Sequence, residues 1–240
     1  TVSRRAQDPS QVTPSVHQYN LGVQYEVARD AVLDVAYVGN LGRHLPGFRN
    51  LNQRAVIQNA DGSQAAGDRP YPAFGDIQWM ENRVSSDYNS LQVSLEKRLS
   101  KGFTGQVSYT WGKALTDAPD HISTSGGGAG VDTGTFREPQ NSYDLGKERG
   151  PAEFDIAHRF VASYIWELPF GRGRHFGSEW GRALDFVAGG WQLTGIHEIQ
   201  SGLALTATLG GASVLNLGGE RRARPNLVGD PELPSSDRTI

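Results

Sequence analysis

Polar and apolar side chains alternate along six stretches of this chain, with a period of two residues. The stretch that starts at Gln18 shows the pattern most plainly. Successive side chains of a β-strand point to opposite faces, so every second residue shares a face. Each stretch therefore predicts a strand with one face that avoids water and one that accepts it. In the first strand the apolar positions are Tyr19, Leu21, Val23, Tyr25 and Val27.

The connections between these stretches are alternately short and long. The predicted strands cover residues 18–27, 31–39, 88–99, 103–111, 158–168 and 190–201. Short links join the first strand to the second and the third to the fourth, which predicts two hairpins. The segments 40–87 and 112–157 contain turn and loop signals such as Asp-Gly and Pro-Tyr-Pro, so both are predicted to be long loops. A connection of moderate length, with a short helix predicted at 178–187, leads to the sixth strand.

Alternation alone fits two kinds of protein, a membrane wall between lipid and water and a soluble β-sandwich. Three features favour the membrane wall. The strands are long enough for a tilted bilayer crossing, the connections alternate as in outer-membrane barrels, and aromatic residues gather near strand ends. Those aromatic residues are Tyr19, Trp111, Trp166 and Trp191. The predicted fold is all-β: an antiparallel transmembrane β-barrel segment of about six long strands, with short periplasmic turns and long extracellular loops.

Six strands are too few to close a barrel, because single-chain membrane barrels start at about eight. An open wall would leave unpaired backbone groups in lipid, and each such group is costly. The chain also opens at Thr1 without a signal peptide, which indicates a piece of a longer precursor. We therefore expect residues 1–240 to form one partial outer-membrane barrel domain, with no plug, signal peptide or terminal barrel strand recognisable.

Composition excludes several other classes of protein. The 240 residues carry 23 Lys and Arg against 26 Asp and Glu, a net charge of -3, which argues against a nucleic-acid partner. The absence of cysteine excludes disulfide frameworks, thiolate zinc sites and cysteine nucleophiles. No apolar run approaches the roughly 18 to 20 residues that a transmembrane helix needs.

Motifs for catalysis or cofactor binding are not found in the sequence. The six histidines are scattered without a His-Glu-x-x-His motif, and neither a phosphate loop nor a Gly-x-Ser-x-Gly elbow is present. Asp117, Asp120 and His121 could contact a cation in a long loop, although a solvated turn is the favoured interpretation. We expect no enzyme activity, no cofactor, and no catalytic or metal site.

Two sets of residues are candidates for contact with other molecules. The polar positions of the strands would line a barrel lumen, where they would contact a plug or a transport path. These lumen-facing candidates are Gln24, Glu26, Gln92, Ser94, Glu96, Gln106, Ser108, Gln192, Thr194 and Glu198. A basic cluster, Arg221, Arg222 and Arg224, would lie outside the cell and could pair with lipopolysaccharide phosphates, with ordinary loop charge as the alternative.

Specific segments occur in an order that resembles a known family. They include Gln-Tyr-Asn-Leu-Gly-Val-Gln-Tyr-Glu from Gln18, Arg-Pro-Tyr-Pro-Ala-Phe-Gly from Arg69, Ser-Tyr-Thr-Trp-Gly-Lys from Ser108 and Phe-Asp-Ile-Ala-His-Arg-Phe from Phe154. The further matching segments are 35–39, 88–92, 95–98, 168–171, 189–193 and 224–227. Taken together, the chain resembles the barrel domain of Oar-like TonB-dependent outer-membrane proteins. The resemblance implies a large barrel of about 22 strands, with a plug that is not recognisable here.

Three functional hypotheses follow. The first is a segment of a TonB-dependent transporter-like barrel in the outer membrane of a Gram-negative-type bacterium, which takes up an unknown substrate. Its expected partners are outer-membrane lipid, the remainder of the barrel, the plug and TonB-type energy coupling through that plug. The second is an envelope adhesion or surface-assembly protein on the same barrel. The third is a soluble all-β binding domain.

Overall fold

A computed structural model describes residues 2–61, 63–118, 139–207, 224–225 and 228–229. Within these residues the chain is mostly β-structure. The strands are β1 (Val2–Gln7), β2 (Ser15–Ala28), β3 (Ala31–Asn50), β4 (Val56–Gln58), β5 (Gln64–Ala66), β6 (Phe74–Ser100), β7 (Phe103–Thr116), β8 (Gly150–Pro151), β9 (His158–Glu167) and β10 (Gln192–Gln200). A 3-10 helix covers Leu145–Glu148, and helix α1 covers Arg182–Ala188.

Six long strands form an antiparallel meander in the order β2-β3-β6-β7-β9-β10. β1 adds to β6 in a parallel orientation, β8 adds to β7, and β4 and β5 form a separate small hairpin. β2 and β10 are the two edges of this path, and within the described ranges no pairing joins them. The sheet is therefore a wall that does not close on itself.

Two tight turns lie at the same end of the sheet, which we call the turn end. Arg29 and Asp30 join β2 to β3, and Lys101 and Gly102 join β6 to β7. Lys101 and Gly102 both have positive φ, at 50° and 78°, as the two-residue turns that match strand twist require. β9 also finishes at this end, because the Glu167 amide donates to the Gly102 carbonyl at 2.7 Å. The connections between β3 and β6 and between β7 and β9 lie at the opposite end, the loop end, whereas the connection between β9 and β10, residues 168–191, lies at the turn end and is longer than the short turns predicted for that end.

All six predicted strands are present, but the predicted long loop at 40–87 is wrong at both of its ends. β3 continues to Asn50 and β6 starts at Phe74, and the two strands remain paired beyond the region of alternation. The register shifts between Gly42 and Leu45, where His44 has a φ of 55°, so a bulge interrupts the period-two pattern. The short helix lies at Arg182–Ala188 instead of the predicted 178–187.

The sheet is a single layer with little apolar core. In the described part of the chain the buried apolar residues are Val84, Ala114 and Ala152. A soluble sandwich would instead pack a second sheet against the apolar face, about 10 Å away. Apart from glycines, most of the buried residues in the described ranges are polar, and they lie at the loop end. None of the helices in the described ranges is both long and apolar enough to span a bilayer.

Candidate functional site

One face of the six-stranded sheet carries a continuous apolar band. Residues directly paired across antiparallel strands share a face, so the register aligns the apolar positions of all six strands into rows. The central row is Val23, Val35, Val93, Tyr109, Phe160 and Ile199. Val23 and Ile199, on the two edge strands, are 65% and 68% exposed, and the side chains between them are half-buried or partly exposed. An apolar patch that crosses six strands requires a non-aqueous surrounding.

The rows on either side of the central row extend the band along the strands. On the loop-end side the row is Leu21, Tyr37, Leu91 and Trp111. On the turn-end side the row is Tyr25, Leu33, Leu95 and Val107. Still closer to the turn end, Phe103 pairs with Trp166, which pairs with Leu193. The central row is therefore apolar from edge to edge, whereas the loop-end row reaches His158 on β9 and the turn-end row reaches His197 on β10.

Tyrosine hydroxyls mark the loop-end border of the apolar band. The hydroxyls of Tyr19 and Tyr37 donate to the Asn89 side-chain oxygen, at 2.6 and 2.9 Å. The Tyr19 ring lies over Gly39, where a Cβ would come within 2.1 Å of it. Amphipathic rings of this kind favour the boundary between apolar and aqueous surroundings.

The opposite face of the sheet is mainly polar and brings all ten lumen-facing candidates together. It also carries apolar side chains, namely Val32, Val38, Val161, Ile165 and Ile196. One cross-strand row contains Gln24, Ser94, Ser108 and Glu198, and the next contains Glu26, Glu96 and Gln106. Gln92 lies toward the loop end of these rows; Thr194 and Gln192 lie toward the turn end. Since the sheet is open, the assignment of this face to a lumen stays a prediction.

The polar face also contains residues that sequence reasoning did not select. Asp34 pairs with Gln24 and Ser94. Its polar position opposite the apolar face of its strand was visible in the sequence. Arg159 lies in the same row as Gln92 and forms an ion pair with Glu198 at 2.8 Å. These additions make the polar face more charged than the ten candidates alone suggest.

A concavity with a volume of about 710 Å³ lies on the polar face toward the turn end. Its polar lining consists of Glu96, Thr104, Gln106, Ser163 and Thr194, with Ile165 and Ile196 beside them. Hydroxyl and amide groups next to a single carboxylate can hydrogen-bond a polar ligand or a polar protein segment. Across the described ranges no group of three or more His, Asp or Glu side chains is arranged to hold a metal ion.

The loop end is organised by buried amide side chains. Asn52 is 0% exposed. Its amide nitrogen donates to the carbonyls of Tyr71, Phe74 and Gly75 at 2.6 to 3.1 Å, and its oxygen accepts from the Tyr71 amide at 2.8 Å. Gln53 reaches the segment at 139–149, since its side-chain oxygen accepts from the Ser142 amide at 2.6 Å. These bonds tie two loops to β3 and β6.

Ion pairs reinforce the same region. The Asp87 carboxylate lies between Arg43, at 2.6 Å, and Arg149. Burial opposes ionisation of Asp87, but the hydrogen bonds from Arg149 and Arg43 outweigh it and hold the pKa of that carboxyl below its usual range. Lys113 pairs with buried Asp155 at 2.6 Å, and this carboxylate also accepts from the Ala114 amide.

The remaining candidates from the sequence fall partly in this region. Arg224 donates to Glu148 at 2.9 Å and to the Gln140 side chain at 2.9 Å, so its guanidinium group contacts protein. Arg221 and Arg222 lie outside the described residues, and the proposed contact with lipopolysaccharide phosphates stays a prediction. Asp117 accepts from the amide and hydroxyl of Ser85, whereas Asp120 and His121 also lie outside the described residues.

Comparison with known proteins agrees with this arrangement of faces. A family model described as an outer membrane beta barrel domain matches residues 1–240. No curated protein and no solved structure matches the chain. The match covers both the six-stranded sheet with its apolar band and the loop-end network.

Proposed function

The chain belongs to the outer membrane β-barrel domain family and is an outer membrane protein; on this premise we propose that it forms part of the barrel wall of a TonB-dependent, Oar-like transporter. In this role the apolar band contacts outer-membrane lipid and the polar face lines the lumen. The role is structural and non-enzymatic. The transported substrate is unknown.

The alignment of the strands is the observation that carries this proposal. Six strands present apolar residues to one side and polar residues to the other, in register across the whole sheet. Such a division suits a wall between hydrocarbon and water. The free edges at β2 and β10 support a larger barrel, because an unpaired edge in lipid leaves costly bare amides and carbonyls.

The proposed partners follow from the resemblance to Oar-like proteins. Further barrel strands would pair with β2 and β10, and a plug would contact the polar face. TonB-type coupling would reach the barrel through that plug. The concavity beside Glu96 and Gln106 offers hydrogen-bonding groups to a plug segment or to a substrate in transit.

Cysteine scanning tests which face meets lipid, and the 240 residues contain no native cysteine. The test introduces Val23→Cys, Val93→Cys and Val107→Cys into the full-length protein in its membrane, after replacement of any cysteine elsewhere. Gln24→Cys, Gln92→Cys and Gln106→Cys are matched neighbours on the polar face. A water-soluble maleimide should modify the polar set severalfold faster. Equal modification of the two sets would refute the proposal that the apolar band faces lipid and the polar face meets water.

Adhesion or surface assembly is a second candidate function, and the length of β6 favours it. β6 has 27 residues, whereas a tilted strand needs about 9–11 to cross a bilayer. Its loop-end half, with β3 and the network around Asn52, would extend outside the cell. Loss of uptake in a TonB-deficient strain would support transport. Loss of cell adhesion after deletion of residues 54–68, with uptake unchanged, would support adhesion.

A further inference from the structure

The connection between β9 and β10 differs from the other two at the turn end. Those turns have two residues each, whereas this connection contains helix α1, Arg182–Ala188. None of the residues of α1 is buried. Its large apolar side chains are open, with Leu184, Phe186 and Val187 exposed by 51%, 90% and 66%. The connection therefore presents an apolar surface that the described part of the chain leaves uncovered.

This surface is held in a defined shape. The Asp185 carboxylate accepts from the Arg172 amide at 2.7 Å, and the Asp185 carbonyl accepts from the Gly189 amide at 2.8 Å. The Trp191 indole donates to the Val187 carbonyl at 2.9 Å. A helix of seven residues is marginal in water unless its apolar side packs against something. A fixed helix with exposed apolar side chains therefore indicates a contact surface.

The position of the surface indicates what covers it. Trp191 directly precedes β10, whose Leu193 pairs with Trp166 in the row of the apolar band closest to the turn end. Helix α1, which is hydrogen-bonded to Trp191, therefore lies next to the turn-end row of the apolar band. Arg172 and Arg182 are also exposed in this connection, and guanidinium groups pair well with phosphate. The guanidinium group of Arg174, which is exposed as well, forms an ion pair with Glu167 at 3.1 Å.

We propose that residues 168–191 form an interfacial foot that lies in the phospholipid headgroup region of the periplasmic leaflet. The apolar residues of α1 enter the border of the acyl chains, and the arginines remain among the phosphates. Amphipathic helices bind membrane surfaces in this manner. The inference rests on the proposed wall, because the turn end is periplasmic only if the apolar band spans the membrane.

Spin labelling in the membrane tests the interfacial foot. Phe186→Cys carries a nitroxide in the full-length protein, reconstituted into vesicles of phosphatidylethanolamine and phosphatidylglycerol. Labels at Val23→Cys and Gln24→Cys, adjacent residues on β2, serve as lipid and water controls. Collision with oxygen, which concentrates in lipid, is compared with collision with a water-soluble nickel complex. A label at Leu184→Cys repeats the measurement in case the Phe186 variant is poorly folded.

The interfacial foot predicts a severalfold higher ratio of oxygen to nickel collisions at 186 than at 24. The value at 186 should lie between those at 24 and 23, because Val23 is in the central row of the band and residue 186 is at the border of the acyl chains. Nickel access at 186 and 184 equal to that at 24 would overturn the inference while the wall stands. A label shielded from both reagents would also overturn it, since a protein partner would then cover the helix. Nickel access at residue 23 itself would contradict the proposal that the apolar band faces lipid, and the interfacial foot would then fail as well.

Discussion

At the residue scale, the buried positions of this chain are filled mainly by polar side chains. Asn52 is the clearest case, because it satisfies the backbone groups of the segment at 71–75. We expect Asn52→Ala to leave several of these groups unpaired, each at a cost of about 1–3 kcal/mol. Hydrogen exchange should become faster around Tyr71 and Gly75, while the apolar band stays protected. Asn59→Ala is the control, since the Asn59 side chain donates to Ser63 in an exposed loop. Unchanged exchange in Asn52→Ala would contradict the prediction.

The Asp30 carboxyl makes the stability of the fold depend on pH. Hydrogen bonds from Lys97 and Ser100 lower the pKa of this turn carboxyl from 3.8 to about 2. A folded-state pKa below the unfolded value stabilises the fold above about pH 4, and the contribution is lost as the pH falls toward 2. We expect Asp30→Asn to lower the urea midpoint at pH 6 and to have a much smaller effect near pH 2, where the carboxyl is partly protonated in the folded state as well. Asp68→Asn, at an exposed position, is the control. An equal effect of Asp30→Asn at both pH values would contradict this linkage.

At the scale of strands, close packing of an aromatic ring on a glycine joins β2 to β3. A Cβ at Gly39 would overlap the Tyr19 ring, so Gly39→Ala should displace that ring and break its bond to Asn89. Overpacking of this kind costs about 1–3 kcal/mol. Gly22→Ala is a matched control on β2, since its nearest contact would be an ordinary 3.7 Å. Urea unfolding of the membrane-embedded protein measures the difference. Equal midpoints for the two variants would show that the contact carries no stability.

The same scale shows which elements could be read from the sequence. Alternation located the lipid-spanning parts of the six long strands, because there each face has a single solvent. It did not reveal residues 40–50 of β3 or 74–87 of β6, where a bulge and buried polar groups remove the pattern. β1 also escaped prediction, since its parallel pairing with β6 depends on a partner more than 60 residues away.

For the molecule as a whole, the alternation of side chains along each strand was sufficient to place the polar candidates on one face of the sheet. Gln24, Gln106 and Glu198 share a face because each alternates with an apolar neighbour in its own strand. The loop-end network could not be predicted, because Gln53 and Ser142 come together only after the strands between them have paired. Local pattern therefore predicts the wall, and the tertiary fold determines what extends above it.

The open edges lead to the last prediction, which concerns the whole barrel. If β2 and β10 pair with further strands, their outward amides are hydrogen-bonded in the full-length protein, whereas within the described residues no strand pairs with these two edges. We expect hydrogen exchange in β2 and β10 to be much slower in the full-length protein. β6 and β7 are the internal control, because both have partners on each side and should exchange alike in the two proteins. Equally slow exchange of the edge strands in the isolated chain would mean that this wall completes itself, by self-association or by closure, without further strands.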